Sequence, residues 1–472
     1  MNIRKIVFFS IGPIGAAILG VVTIPVLAWL FTVEDIGRFS ILQIIMSFSC
    51  ILFTLGLDQA YVREYNEVED KQILFKGVVL LSIFTTVFFA MFFLLYSGEF
   101  ISKVSYKVSS SYLSYMTVTC VVLTVLLRYV ALNIRMREHG LLYSFSQIFP
   151  KFFLLFSVFI LNFFNYKSLG FNYLIGIQAI SLFFILLLFC YFIKDDLMSF
   201  FSSGINYKLL KKMLIFGFPL VLSGLLFWLI QAISRIFLLN NSTLMDVGVF
   251  SVAVSIAAGF SILSNIFNTI WVPAIYKLAK EKNPIVEIEK VSNIIIVAIS
   301  LILFVVCLIM PMVPKFLPDN YSNIEYILLL CVLQPLFYTL SESTSVGILI
   351  KRKTFLSIVV SVTGILTNLI LLWFLVDKYG AVGAAAALAI SFWVYFVIRT
   401  EISSRVWIGF ERYKLYLYTF FCLIFSLYIS IMHLEYSYIV LCASFLLTFS
   451  LFLFHGTYKI IIESIASYLR SL

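Results

Sequence analysis

The chain has 472 residues, is 62% hydrophobic and only 12% charged, and carries a formal net charge of +10. Soluble domains average about 25% charged residues, so this balance excludes a soluble globular protein. The basic excess lies in short connecting segments and leaves no footprint for nucleic acid.

Stretches free of Asp, Glu, Lys and Arg run through the whole chain: residues 6–33, 39–57, 77–98, 108–127, 168–193, 213–234, 247–276, 291–314, 354–376, 379–398, 415–434 and 436–458. Two more, 141–163 and 326–350, hold one charge each, Lys151 and Glu342. Each is long enough to cross about 30 Å of hydrocarbon at about 1.5 Å per helical residue. The prediction is an all-α polytopic membrane protein with about 14 transmembrane helices. The first run is far longer than a signal-peptide core and no A-x-A-like site closely follows it, so it is expected to stay as a span. The seven cysteines all fall inside spans, where they read as small apolar residues, with neither a disulfide framework nor a metal site.

With the N-terminus inside and the spans alternating, 25 of the 33 Lys and Arg residues fall in inside segments and 6 in outside ones. That bias fixes both termini in the cytoplasm. The outside connections are short, which leaves no room for a catalytic domain, and no nucleophile–base pair, phosphate-cradling loop or metal spacing appears. The chain is therefore read as a non-enzyme with no cofactor.

A duplication is visible. Asp35-Ile36-Gly37-Arg38-Phe39-Ser40 follows the first span and Asp246-Val247-Gly248-Val249-Phe250-Ser251 follows the seventh; Ala179-Ile180-Ser181 recurs as Ala389-Ile390-Ser391. Six spans separate the copies, so both begin on the same side: a parallel repeat, as in transporters that rock one bundle against another. The alternative is that D-x-G-x-F-S is only helix-start chemistry. The expected organisation is an N-lobe at 1–194, a C-lobe at 195–405 and two accessory helices at 406–472.

Several short motifs point further. Gly12-Pro13 lies in the first span, with Pro25 towards its end and Glu34-Asp35-Ile36-Gly37-Arg38-Phe39 just after it. Gly56-Leu57-Asp58-Gln59-Ala60-Tyr61-Val62-Arg63-Glu64-Tyr65 closes the second. Phe218-Pro219 opens the seventh, Trp271-Val272-Pro273-Ala274 closes the eighth, and Tyr379-Gly380-Ala381-Val382-Gly383-Ala384-Ala385 enters the twelfth. With these residues the chain resembles, over roughly 1–402, the oligosaccharide flippases (Wzx-type, carrying O-antigen or capsule repeat units) of the multidrug/oligosaccharidyl-lipid/polysaccharide exporter superfamily. It departs from them at Ser234-Arg235, where an acid often precedes the arginine, and in having fourteen spans where twelve are usual. The extra pair resembles the lipid II flippase branch in number. The resemblance implies two six-helix lobes around a central cavity and transfer of undecaprenyl-pyrophosphate-linked glycans across the bacterial inner membrane, a step in polysaccharide or lipopolysaccharide assembly.

Within that frame, residues that are costly in lipid become candidates. Pro150 takes the helical partner from the carbonyl of Ser146 and, with Pro13 and Pro219, is a candidate hinge. Lys151 lies too deep to reach either surface; in hydrocarbon it costs roughly 2.5–3.5 kcal/mol, less if it faces water and an anion such as a pyrophosphate. Arg63, Arg128 and Arg235 lie at span ends, either handing the same anion across or snorkelling among headgroups. Glu342 is either an H⁺ or Na⁺ coupling group or half of a structural ion pair. Asp58, also a coupling candidate, and Glu64 flank Arg63 as a local charge network. The partners expected are the lipid-linked oligosaccharide, membrane lipids, a counter-ion and a glycan polymerase. Rival readings are a multidrug/cation antiporter of the same superfamily, which wants several acids in its spans, and a membrane polymerase or ligase, which wants a large outer loop.

Overall fold

A computed structural model describes all residues except 1–2, 66, 138, 164–169, 195–203, 263, 265–266, 268–270, 272–283, 352, 354, 460–462 and 464–472. In chain order the helices are α1 (Ile3–Leu30), α2 (Val33–Phe53), α3 (Leu57–Glu64), α4 (Lys71–Tyr96), α5 (Phe100–Tyr106), α6 (Ser111–Met136), α7 (Gly140–Phe163), α8 (Phe171–Phe192), α9 (Tyr207–Asn241), α10 (Leu244–Ala257), α11 (Pro284–Ile309), α12 (Ile324–Thr344), α13 (Val346–Ile350), α14 (Phe355–Val406), α15 (Tyr413–Met432) and α16 (Tyr436–Leu453). No strand occurs among the described residues. Among the described residues eleven helical segments are long and apolar enough to cross a membrane, and Ile14–Leu30 and Leu244–Phe260 are shorter apolar helices. All fourteen predicted spans are represented, because α14 carries two of them across a kink at Gly380, where φ is 50° and ψ −125°. The far end of span eight, with Val272-Pro273-Ala274, and the connection at 195–203 lie outside the described residues.

The chain divides into two compact units, Met1–Ala232 and Ile233–Leu472, with the division inside α9. In the first unit α6 is central: α2, α4 and α8 pack on it, α2 also touches α8, and α1 lies along α7. In the second unit α12 takes the place of α6. Helices α10, α11 and α14 pack on it and α10 also touches α14. The counterpart of the α1–α7 pair is α9 with the first half of α14, joined by Asn368 Nδ2 donating to Ser234 Oγ at 3.4 Å and by the Phe237–Trp373 ring contact. The same pairing thus recurs six spans later, which is what a parallel duplication requires. Helices α15 and α16 belong to the second unit, where Trp393 Nε1 donates to Thr419 Oγ1 (3.1 Å) and Ser300 to Ser450 (2.9 Å).

The two D-x-G-x-F-S copies do begin helices in the same way. The Thr32 hydroxyl accepts from Asp35 N (3.2 Å) at the start of α2, and Thr243 accepts from Asp246 N (3.1 Å) at the start of α10. Helix-start chemistry and duplication are both present, since the cap itself is repeated. Lipid-facing stripes are also legible: Phe84, Phe88 and Phe92 on α4 and Phe152, Phe156 and Phe159 on α7 are exposed at helical spacing.

Candidate functional site

Helix α2 stops because Leu55 and Gly56 take left-handed φ values of 51° and 69°, a conformation glycine adopts without strain. The chain then restarts as α3, which carries Asp58, Arg63 and Glu64. Successive helical residues turn by about 100°, so these three charges leave on different faces and find different partners. Asp58 Oδ2 accepts from Arg128 Nε (3.2 Å) and Nη2 (2.8 Å) on α6. Glu64 takes Lys212 of α9 at 2.7 Å, and Arg63 lies 4.4 Å over the Phe216 ring. The expected Asp58–Arg63–Glu64 network is therefore replaced by three ties to neighbouring helices.

Asp58 and Arg128 face a cavity of about 390 Å³ in the first unit, whose polar lining includes Ser47, Thr54, Gln59 and Thr124. The arginine side chain is 44% exposed and its aspartate 11%. The guanidinium is thus compensated on one edge and open on another. Cys50 shares this lining.

Lys151 projects from the buried face of α7. Ser144, Leu154 and Val158 on that face are almost inaccessible, while the phenylalanine stripe faces out. Helices α1 and α7 run side by side in register: Gly12 N donates to Ser144 Oγ (3.0 Å), and four residues on, Lys151 Nζ donates to the carbonyl of Ala16 at 2.7 Å. Gly20 leaves the space for the amine, since a Cβ there would sit 2.9 Å from Nζ. Among the described residues this carbonyl is the ammonium's one hydrogen-bond partner and no carboxylate pairs with it. An ammonium has three donors, so two remain for a ligand or water.

In the second unit Arg235 Nε donates to Ser251 Oγ at 3.2 Å, with Phe250 5.8 Å from the guanidinium. No carboxylate among the described residues pairs with it. Glu342 is bound by Arg399 at 2.5 Å, and the same nitrogen reaches Ser341 Oγ at 3.0 Å. The rings of Tyr395 and Tyr338 flank that guanidinium at 5.6 and 6.0 Å. Both side chains are nearly buried, 12% and 10% exposed. Arg399 directly follows the charge-free stretch that ends at Ile398, which by sequence puts it in a cytoplasmic connection. Helix α14 instead continues to Val406 and buries it. The structure thus joins Asp58 to Arg128 and Glu342 to Arg399, and gives Lys151, Arg63 and Arg235 separate partners. Pro13, Pro150 and Pro219 all lie inside helices, α1, α7 and α9. No cluster of metal-ligating side chains occurs among the described residues.

Residues 3–279 match the profile of a family described as polysaccharide biosynthesis protein. Comparison with individually curated proteins returns no significant match. Among solved structures the chain is similar to a lipid II flippase, MurJ, in an inward closed conformation: 16% identity, TM-score 0.64, covering 98% of this chain and 100% of that one. It is also similar to an inward-facing multidrug resistance MATE family transporter of the MOP superfamily (13%, TM-score 0.55, 84% and 94% covered). A third likeness is to a MOP superfamily transporter from Pyrococcus furiosus described as having a binding pocket of reverse polarity (13%, TM-score 0.52, 85% and 95% covered). At these identities the likeness concerns the fold.

Proposed function

The chain belongs to the polysaccharide biosynthesis protein family, and from that premise we propose that it is a flippase for undecaprenyl-pyrophosphate-linked oligosaccharide repeat units. It would carry them from the inner to the outer leaflet of the bacterial cytoplasmic membrane by alternating access, with both termini cytoplasmic. The observation that carries this reading is Lys151: a mid-span, half-buried ammonium held by a single carbonyl and unpaired with any carboxylate among the described residues. A cation kept that way suits a visiting anion. Arg128 supplies a second contact. Asp58 neutralises one edge of its guanidinium, and on this reading the exposed edge takes the diphosphate. A cation antiporter needs the opposite: carboxylates open to substrate, whereas Asp58 and Glu342 are each held by an arginine.

The test is export in cells whose own flippase is deleted. Lys151→Met is expected to reach the membrane and leave completed lipid-linked units on the inner leaflet, with loss of surface glycan. Normal glycan export by that variant would remove the ammonium from the reaction.

A further inference from the structure

A second polar cavity, of about 550 Å³, lies in the first unit between the segment joining α3 to α4 and the C-terminal end of α6. It is apart from the Asp58–Arg128 cavity and shares no lining residue with it. Its described rim is Glu69, Asp70, Lys71, Gln72 and Arg137, all exposed. On its floor is Asn133, 4% exposed; among the described residues its Oδ1 has no hydrogen-bond partner and its Nδ2 makes a long 3.5 Å contact to Tyr61. Buried amide oxygens are ordinarily satisfied, so this one marks a place where a donor is expected.

The rim is held in place. Asp70 Oδ1 accepts from Gln72 N and Ile73 N (3.0 and 3.1 Å), capping α4, and Lys71 Nζ stands 4.6 Å over the Tyr65 ring. Its four charges are two acids and two bases. An inorganic anion would meet Glu69 and Asp70 as well as the cations; a small cation would meet Lys71 and Arg137. Neither sign is favoured. A neutral ligand whose groups both donate and accept satisfies carboxylate, amide and cation at once, and hydroxyl groups do this. The volume falls within the usual range for small-molecule sites, about 300–1,000 Å³.

We infer that this cavity is a docking subsite for the neutral sugar residues of the glycan, on the side that the charge bias makes cytoplasmic. The inference rests on the flippase reading and adds to it: the diphosphate is recognised by the spans, the sugar by this rim. Sugar discrimination then begins at the cytoplasmic mouth, before the load crosses.

The experiment uses the full chain in lipid nanodiscs. Ligand-observed NMR is recorded with a panel of neutral methyl hexosides and N-acetylhexosaminides, and separately with inorganic pyrophosphate. At least one glycoside is expected to bind saturably. The double variant Glu69→Gln/Gln72→Ala alters two exposed side chains and should retain the fold; it is expected to weaken that binding about tenfold, as loss of two hydrogen bonds implies, and to leave pyrophosphate binding unchanged. Asn133→Leu, with thermal unfolding as a control for folding, should act in the same direction. No glycoside binding above that of empty nanodiscs, or equal binding by wild type and the double variant, would overturn the subsite. Loss of pyrophosphate binding to the wild type with glycoside binding intact would count against the flippase reading alone.

Discussion

At the scale of single residues, the arrangement around Lys151 is testable without touching the lysine. A Cβ at position 20 would fall 2.9 Å from Nζ, and the atom that must yield is the end of a flexible side chain. Gly20→Ala should therefore cost less than about 1 kcal/mol of stability, yet move the ammonium off the Ala16 carbonyl and lower export. Wild-type export from Gly20→Ala would show that the position of the amine is unimportant. The Glu342–Arg399 pair makes a different forecast. Truncating one member of a buried ion pair leaves an uncompensated charge and costs about 3–5 kcal/mol, whereas apolar replacement of both is near neutral. Glu342→Gln should accordingly lower the melting temperature in detergent, and Glu342→Met/Arg399→Met should recover most of it. If the pair is structural, the double variant transports; if Glu342 carries a coupling ion, it is stable and inactive. The geometry favours the first outcome, because Arg399 already binds that carboxylate and is itself held by Ser341 and flanked by two tyrosine rings.

At the scale of elements, the turn from α2 into the charged segment α3 crosses α9. Gly56 and Gly217 meet backbone to backbone, so that a Cβ on Gly56 would run into the carbonyl of Gly217. Gly56→Ala combines a left-handed backbone, about 1–2 kcal/mol for an L-residue, with overpacking of about 1–3 kcal/mol. It is expected to destabilise the protein by several kcal/mol in urea or thermal unfolding and to disturb the Asp58–Arg128 contact; a shift under about 1 kcal/mol would mean that the crossing relaxes freely. This element also shows what the sequence discloses and what it withholds. The spans are legible because hydrocarbon thickness fixes the length of a charge-free run, and the repeated Thr32/Asp35 and Thr243/Asp246 caps are legible because capping is local. The stretch Gly56–Tyr65 stands out as a motif, but its meaning does not: Asp58 is seventy positions from Arg128, and Glu64 is farther still from Lys212. Which face of α3 meets which helix is decided by packing, as is the burial of Arg399 one position beyond an apolar run. Lys151 could be found in the sequence since depth alone makes it costly; its carbonyl partner could not.

At the scale of the whole molecule, the question is what drives a load outward. Over a closed transport cycle the protein's own charges return to where they began, so Lys151, Arg128 and the buried pairs contribute nothing net to the electrical work. Only charge on the cargo and on any exchanged ion counts. Each negative charge moved out across an inside-negative potential of 100 mV gains about 2.3 kcal/mol, so on the proposed function a diphosphate-linked load would be driven outward by potential alone. A structural Glu342–Arg399 pair removes the obvious site for proton exchange. Export of a lipid-linked diphosphate oligosaccharide by protein reconstituted into vesicles should then accelerate when a potassium-diffusion potential, negative on the loading side, is imposed with valinomycin. It should be unchanged when a pH gradient alone is collapsed with nigericin. The opposite pattern, sensitivity to the pH gradient without response to potential, would place an exchanged proton in the cycle and return Glu342 or Asp58 to the coupling role.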